Sequence, residues 1–230
     1  MMELERCPGT LKTGFTSYSP ATLRSVFSGR KVSHVLPYSA PNRNEDSNEL
    51  FMENRNRISI SGVQEKLSLI QVKNQLRLTR PGEQGTHILK PIPIDLMKVN
   101  EVPANEHLTM QIASQIYGIN TAANALIFFR EGEPAYITKR FDIRQNGLKW
   151  GKEDFASLAG MTTETSGDNY KYDYDYFRLG QLIQKYVPAW RVEIEKYFSL
   201  VIFNFLFSNG DAHLKNFALL ESQGKDYLLS

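Results

Sequence analysis

Few folds accommodate what this chain does between residues 197 and 220. An apolar run over 197–207 gives way to Ser208-Asn209-Gly210-Asp211-Ala212-His213-Leu214-Lys215-Asn216, and the chain returns at once to Phe217-Ala218-Leu219-Leu220. The run before the loop reads as a buried helix, and the segment after it is too apolar to sit in water. Groups able to move a proton, contact phosphate or bind a metal are therefore held from both sides. A fold that contains this loop must bury both flanks, which makes the loop a rigid rim rather than a free connection. Taken alone, the same residues also fit an Asn-Gly turn with an Asx cap on its flank.

Composition limits what such a rim can serve. With 230 residues, 41% of them hydrophobic, the chain can build one large domain or two small lobes around a true core. The balance of 27 basic against 25 acidic residues is too even to attract nucleic acid by charge. Cys7 is the only cysteine, which excludes an intrachain disulfide and a cysteine-based zinc site and suits a reducing compartment. The N-terminus has no apolar targeting core, and the apolar run near 200–207 is far too short to span a bilayer. The expectation is a cytoplasmic protein without direct nucleic-acid or membrane contacts.

Residues 1–50 offer little purchase. Turn formers stand at Pro8-Gly9, Ser19-Pro20 and Gly29, a short helix fits 20–28, and 41–48 has the composition of a solvated loop. From Arg57 the texture changes. Ile58 and Ile60 alternate with Ser59 and Ser61, Gly62 bends the chain, and strand-like runs at 66–72 and 75–79 surround Lys73-Asn74 as a hairpin. Residues 61–66 at a strand edge can set N–H groups and hydroxyls over phosphates; they also fit a bulged hairpin in which Lys66 is a surface lysine. Ile88 and Leu89 hold Lys90 near an interior, and Pro91 ends that strand. A half-buried lysine wants a partner, and Glu106, at the start of the helical pattern Leu108, Ile112, Ile116, is one. A solvated lysine and a dipole-favoured glutamate fit equally.

Strands are predicted at 123–129 and 135–138, after which Lys139-Arg140-Phe141 leads into Asp142 like a hinge. Helical patterns follow at 152–160, 174–186 and 191–207, with Asp173 expected as a cap in the tyrosine-rich tract 170–176. Trp150, Trp190 and the phenylalanines of 198–207 are expected in the core. His34, His87 and His107 lack metal-ligand spacing and read as structural or surface groups.

These features arrive in one order: phosphate-loop candidate, strand lysine, helix glutamate, hinge, helices, then Asp-x-x-x-x-Asn. In protein kinases that last spacing lets the Asp orient and deprotonate the acceptor hydroxyl while the Asn holds magnesium against the nucleotide, and the Lys–Glu pair aligns the phosphates. The expected fold class is α+β, a two-lobed protein-kinase-like fold. It has a β-rich N-lobe at 1–142, with phosphate loop and hinge, and a helical C-lobe at 143–230 that carries the catalytic loop.

The wording of six segments resembles HipA-family serine/threonine kinase toxins: Ser61-Gly62-Val63-Gln64-Glu65-Lys66, Thr86-His87-Ile88-Leu89-Lys90-Pro91, Asn105-Glu106, Arg140-Phe141-Asp142, Glu153-Asp154-Phe155 and Asn209 to Asn216. The resemblance covers roughly residues 57–230. It implies ATP and Mg²⁺ as cofactors. Ser61, Gly62, Val63, Gln64, Glu65 and Lys66 would form the phosphate loop, Lys90 would bind phosphate with Glu106 in support, and Lys139, Arg140 and Phe141 would supply the adenine hinge. Asp211 would be the catalytic base and Asn216 the magnesium ligand, with His213 and Lys215 lining the same site. Ser59 and Ser61 match a serine whose autophosphorylation shuts such kinases off by reordering the phosphate loop.

A start at Arg6-Cys7-Pro8, almost directly at the kinase core, looks like the short HipT type, which lacks the N-terminal subdomain. The implied partners are a separate HipS-like subdomain protein and a DNA-binding, HipB-like antitoxin. The implied substrate is an aminoacyl-tRNA synthetase, tryptophanyl- or glutamyl-. Because the chain stops at Leu228-Leu229-Ser230, before the family's second magnesium-binding Asp, the C-lobe is expected to be partial. Two other classes stay open: a non-catalytic kinase-like subunit that binds ATP or docks an antitoxin, and a small-molecule phosphotransferase.

Overall fold

The strand-forming runs of the first half pair as their alternation requires. A computed structural model describes residues 20–41, 66–93, 100–144, 146–222, 224 and 226–230. Ser59 and the expected phosphate-loop residues Ser61, Gly62, Val63, Gln64 and Glu65 lie outside them. The chain divides into two compact units, one ending at Phe141 and one running Asp142–Ser230.

In the first unit β1 (Leu67–Val72), β2 (Gln75–Leu78), β3 (His87–Lys90), β4 (Asn124–Phe128) and β5 (Pro134–Lys139) form one antiparallel sheet in the order β2-β1-β3-β5-β4. Period-two alternation sends Leu67 and Leu69, Leu76 and Leu78, Leu89, Ala135 and Ile137, and Ala125 and Ile127 into one core. The β1–β2 hairpin closes at Val72 and Gln75 and leaves Lys73 at φ 54°, a left-handed position. Between β2 and β3 the backbone passes so near β1 that a Cβ on Gly85 would stand 2.0 Å from Ser68 Oγ and 3.0 Å from the Leu69 carbonyl.

The short helix expected near 20–28 is present as α1 (Pro20–Val26). Gly29 at φ 80° ends it, its N–H returning to the Arg24 carbonyl at 2.7 Å. Val26, Phe27 and Leu36 are buried in the sheet's core, so this opening segment belongs to the unit's interior. Residues 34–38 run parallel to β4: Phe128 N–H donates to the His34 carbonyl (2.8 Å), Leu36 N–H to Phe128 (2.8 Å) and Arg130 N–H to Tyr38 (3.0 Å). That strap satisfies an edge that would otherwise be open.

Helix α2 (Val102–Gln115) packs on β4 and β5, with Pro103 in its first turn. Its buried positions are Pro103, His107, Gln111 and Ala113, while Leu108 and Ile112 are half-covered and Ile116 is exposed. The apolar stripe read from the sequence is thus not the buried one; a polar stripe faces the sheet.

In the second unit β6 (Lys152–Asp154), β7 (Ala218–Glu221) and β8 (Tyr227–Leu229) make a three-stranded antiparallel sheet. Beside it lie α3 (Phe155–Leu158), α4 (Thr163–Ser166), a 3₁₀ turn at Tyr170–Tyr172, α5 (Tyr176–Tyr186), α6 (Trp190–Leu206) and a 3₁₀ turn at Leu214–Asn216. The helix expected over 152–160 begins only at Phe155, because residues 152–154 pair with Leu220, Leu219 and Ala218 of β7, a partner too distant in sequence to show as a local signal. Asp154 then caps α3, accepting the Ser157 N–H at 2.9 Å. The cap of α5 is Asp175, which accepts the Arg178 N–H at 2.7 Å, and not Asp173.

Phe155, Leu179, Leu182, Ile183, Tyr197, Leu214, Phe217 and Leu219 form the second core. The expectation that the phenylalanines of α6 are core holds only in part: Phe203 is buried, whereas Phe198 and Phe205 are 64% and 81% exposed. Trp150 and Trp190 are half-buried.

Candidate functional site

The sequence-marked residues fall into two groups, one in each unit. In the first unit the ammonium of Lys90, on β3, is paired with the Glu106 carboxylate, on α2. Both side chains are about three-quarters covered, at 22% and 27% exposure. Lys90 also lies over the Tyr136 ring, 5.5 Å from its centroid. Burial, and then the negative charge of Glu106, push the Tyr136 hydroxyl well above the usual tyrosine range, so it stays a neutral donor. The strand lysine and the helix glutamate, sixteen residues apart, have thus come together as expected.

The hinge candidates sit at the end of β5. Lys139 Nζ donates to Ser28 Oγ (2.8 Å), its N–H to Ala123 (2.8 Å), and the Arg140 N–H to Thr86 (2.9 Å). Phe141 is half exposed. Lys66, just ahead of β1, is half-buried.

The second group is the polar loop. The α6 helix ends at Leu206, and Ser208 takes a left-handed turn at φ 53°. Two asparagines then fix the loop's direction: the Asn209 N–H donates to the Asn204 carbonyl (2.8 Å) and its side chain to Asn204 Oδ1 (3.1 Å). Asn209 Oδ1 in turn accepts the Asp211 N–H at 3.2 Å, an Asx turn that aims the Asp211 carboxylate outward at 75% exposure. Asn216, at the end of the 3₁₀ turn, reaches back with Nδ2 to the Asp211 carbonyl and to Asp211 Oδ2 (3.2 Å). The two residues at Asp-x-x-x-x-Asn spacing therefore share one rim. Asn204 was not singled out in the sequence; a lone asparagine inside the apolar run was the signal, and it is buried.

His213 lies beneath that rim. Its side chain is 9% exposed, Nε2 stands 3.6 Å from Asp211 Oδ1, and the Tyr172 ring meets it edge-on at 5.1 Å. Its Nδ1 is buried and has no hydrogen-bond partner among the described residues. Burial holds the imidazole below its usual pKa against the opposing pull of Asp211, which favours a neutral ring. Lys215 is half-buried on the intervening turn. From below, Leu214 and Phe217 anchor the loop, and the Glu193 carboxylate, buried in α6, accepts the Leu229 N–H of β8 (2.9 Å) and pairs with Lys196 (2.6 Å).

Asp211 and Asn216 offer oxygen donors of the kind magnesium takes when one or two protein ligands are completed by phosphates and water. Asn216 Nδ2 is committed to Asp211, so its Oδ1 is the atom that remains for a cation. Among the described residues no group of three or more His, Cys, Asp or Glu side chains assembles a self-sufficient metal site, and no helix is long and apolar enough to cross a membrane.

The model of a family described as HipA-like C-terminal domain matches residues 58–230. A Haemophilus influenzae protein named "Putative kinase" is 26% identical over 212 residues, covering 89% of this chain and 59% of that protein. Another, "Putative kinase Y4mE" of Sinorhizobium fredii, is 29% identical over 184 residues, covering 73% and 40%. The chain thus spans about half the length of these relatives. Among solved structures, the HipA, HipB and operator DNA complex of Shewanella oneidensis matches with a TM-score of 0.58 at 23% identity, over 76% of this chain and 42% of that one. The likeness is one of fold, the α+β kinase-like architecture.

Proposed function

Since the chain belongs to the HipA-like C-terminal domain family, whose relatives carry kinase names, we propose that it carries the core of an ATP- and Mg²⁺-dependent serine/threonine protein kinase, the toxin of a toxin–antitoxin system. The observation that supports this best is the catalytic rim, where Asp211 and Asn216 are tied together on a loop pinned by Asn204 and Asn209. An exposed carboxylate held by its own backbone is poised to accept a hydroxyl proton. Asn216, through its Oδ1, is the residue that would hold the cation, which leaves the Asp211 carboxylate as the base. Mg²⁺ bound there supplies positive charge against the phosphate oxygens.

Lys90, kept in place by Glu106, binds phosphate, and His213 and Lys215 add donors beneath and beside the rim. Lys66 and residues 61–65 form the phosphate loop, with Ser59 and Ser61 as autophosphorylation sites. The N–H groups of Lys139 and Arg140 are taken by the sheet, so the hinge presents its carbonyls and the Phe141 backbone to an adenine edge. By analogy with the Shewanella assembly, a HipB-like DNA-binding antitoxin is the proposed partner. A HipS-like subdomain protein is a second partner, a tryptophanyl- or glutamyl-tRNA synthetase is the proposed substrate, and the compartment is the cytoplasm.

The test is phosphate incorporation by the purified chain with Mg²⁺ and ATP, read by intact mass. Incorporation should fall about a hundredfold or more in Asp211→Ala. Undiminished incorporation in that variant overturns the assignment of Asp211. ATP binding without any incorporation by the wild-type chain favours a non-catalytic binding subunit.

A further inference from the structure

Helix α2 buries a polar stripe where a surface helix ordinarily buries an apolar one. His107 and Gln111, one turn apart, both point at a single atom: Asn124 Oδ1 accepts from His107 Nδ1 at 2.7 Å and from Gln111 Nε2 at 2.9 Å. The Asn124 amide nitrogen donates to the Ala122 carbonyl at 2.8 Å, which fixes the oxygen toward the helix. Gln115 continues the seam, donating to Gln111 Oε1 at 2.8 Å. His107, Gln111 and Asn124 are all buried.

An apolar seat is non-directional and tolerates sliding, whereas two hydrogen bonds to one oxygen do not. Each residue of slip moves a helix about 1.5 Å and turns it about 100°, enough to carry Glu106, the neighbour of His107, away from Lys90. We propose that Asn124 is a positioning residue: it pins the register of α2 on the sheet and thereby sets the reach of Glu106 to Lys90. The catalytic consequence rests on reading Lys90 as the phosphate-binding lysine; the register claim stands on the seam alone.

The experiment uses the whole chain and two readouts. Acylation of Lys90 by an amine-reactive ester, followed by peptide mass spectrometry without nucleotide, should be several-fold faster in Asn124→Leu and in Glu106→Gln than in wild type, with the exposed Lys152 as an unchanged internal control. Phosphate transfer should drop in Asn124→Leu on the order of tenfold or more, as displacement of a catalytic group predicts. The Asn124→Leu, Glu106→Gln double variant should lose little more than either single one.

An Asn124→Leu protein that melts cooperatively and labels at the wild-type rate overturns the proposal. Should that variant fail to fold, Gln111→Leu, which removes one of the two donors, carries the test: faster labelling of Lys90 supports the pin, and an unchanged rate overturns it. A wild-type chain that transfers no phosphate would sink the kinase reading and leave the labelling result to decide the pin.

Discussion

At the scale of single residues, the loop at 208–216 shows how far composition and spacing carry. The sequence placed Asp211 and Asn216 five apart between apolar flanks, and the structure shows them bonded to each other. The pinning by Asn204 was only half legible: a lone asparagine in a phenylalanine-rich helix marks a polar position, but its spacing does not tell that it bonds Asn209. Asn204→Leu should keep the helix and lose the loop's anchor, lowering phosphate transfer more than thermal stability; equal loss of both would argue for a purely structural role.

His87 and His107 make a second residue-scale prediction. Burial lowers both pKa values from the usual 6.5, the effect outweighing their hydrogen bonds to the Val26 carbonyl and to Asn124. The unfolded chain then binds protons that the fold refuses, so stability is fully present above 6.5 and is lost as pH falls through the lower folded values. Urea midpoints measured from pH 8 downward should decline below the usual histidine range, and less so in His107→Gln. Gly85→Ala should cost about 1–3 kcal/mol in the same assay, since its Cβ has the Leu69 carbonyl at 3.0 Å and the Ser68 hydroxyl at 2.0 Å to displace.

At the scale of elements, what was local was legible and what was not local was not. The Lys73-Asn74 hairpin, β3 ending at Pro91 and the paired β4 and β5 all follow from alternation and turn residues within a few positions. Strand β6 read as helix because its partner, β7, lies more than sixty residues away and overrides a helical pattern. The helix α2 itself was legible from the period of Leu108, Ile112 and Ile116, but the face it buries was not, because only the position of Asn124 on β4 decides that the other stripe goes inward. The two aspartates at the entry of α5 separate cleanly. Asp175→Ala should cost about 1 kcal/mol through the lost cap, whereas Asp173→Ala should be nearly neutral by chemical denaturation.

For the molecule as a whole, α6 carries opposite roles on its two sides. Phe203→Ala should cost about 3–5 kcal/mol, while Phe205→Ser, at an 81% exposed position, should leave stability within about 0.5 kcal/mol and reduce binding of an apolar dye. The strongest consequence concerns the opening segment, which looked uninformative as sequence. The match to the family model begins at residue 58, and trimming a gene to that point is the obvious economy for a laboratory. Such a polypeptide would lose Val26, Phe27 and Leu36, each worth about 1.5–3 kcal/mol when buried, a sum comparable to a small domain's entire stability. It would also bare the flank of β4 to any passing strand. The boundary of the family model and that of a physically self-sufficient unit fall at different places in this polypeptide, and a shortened gene product should precipitate where the longer one stays dissolved.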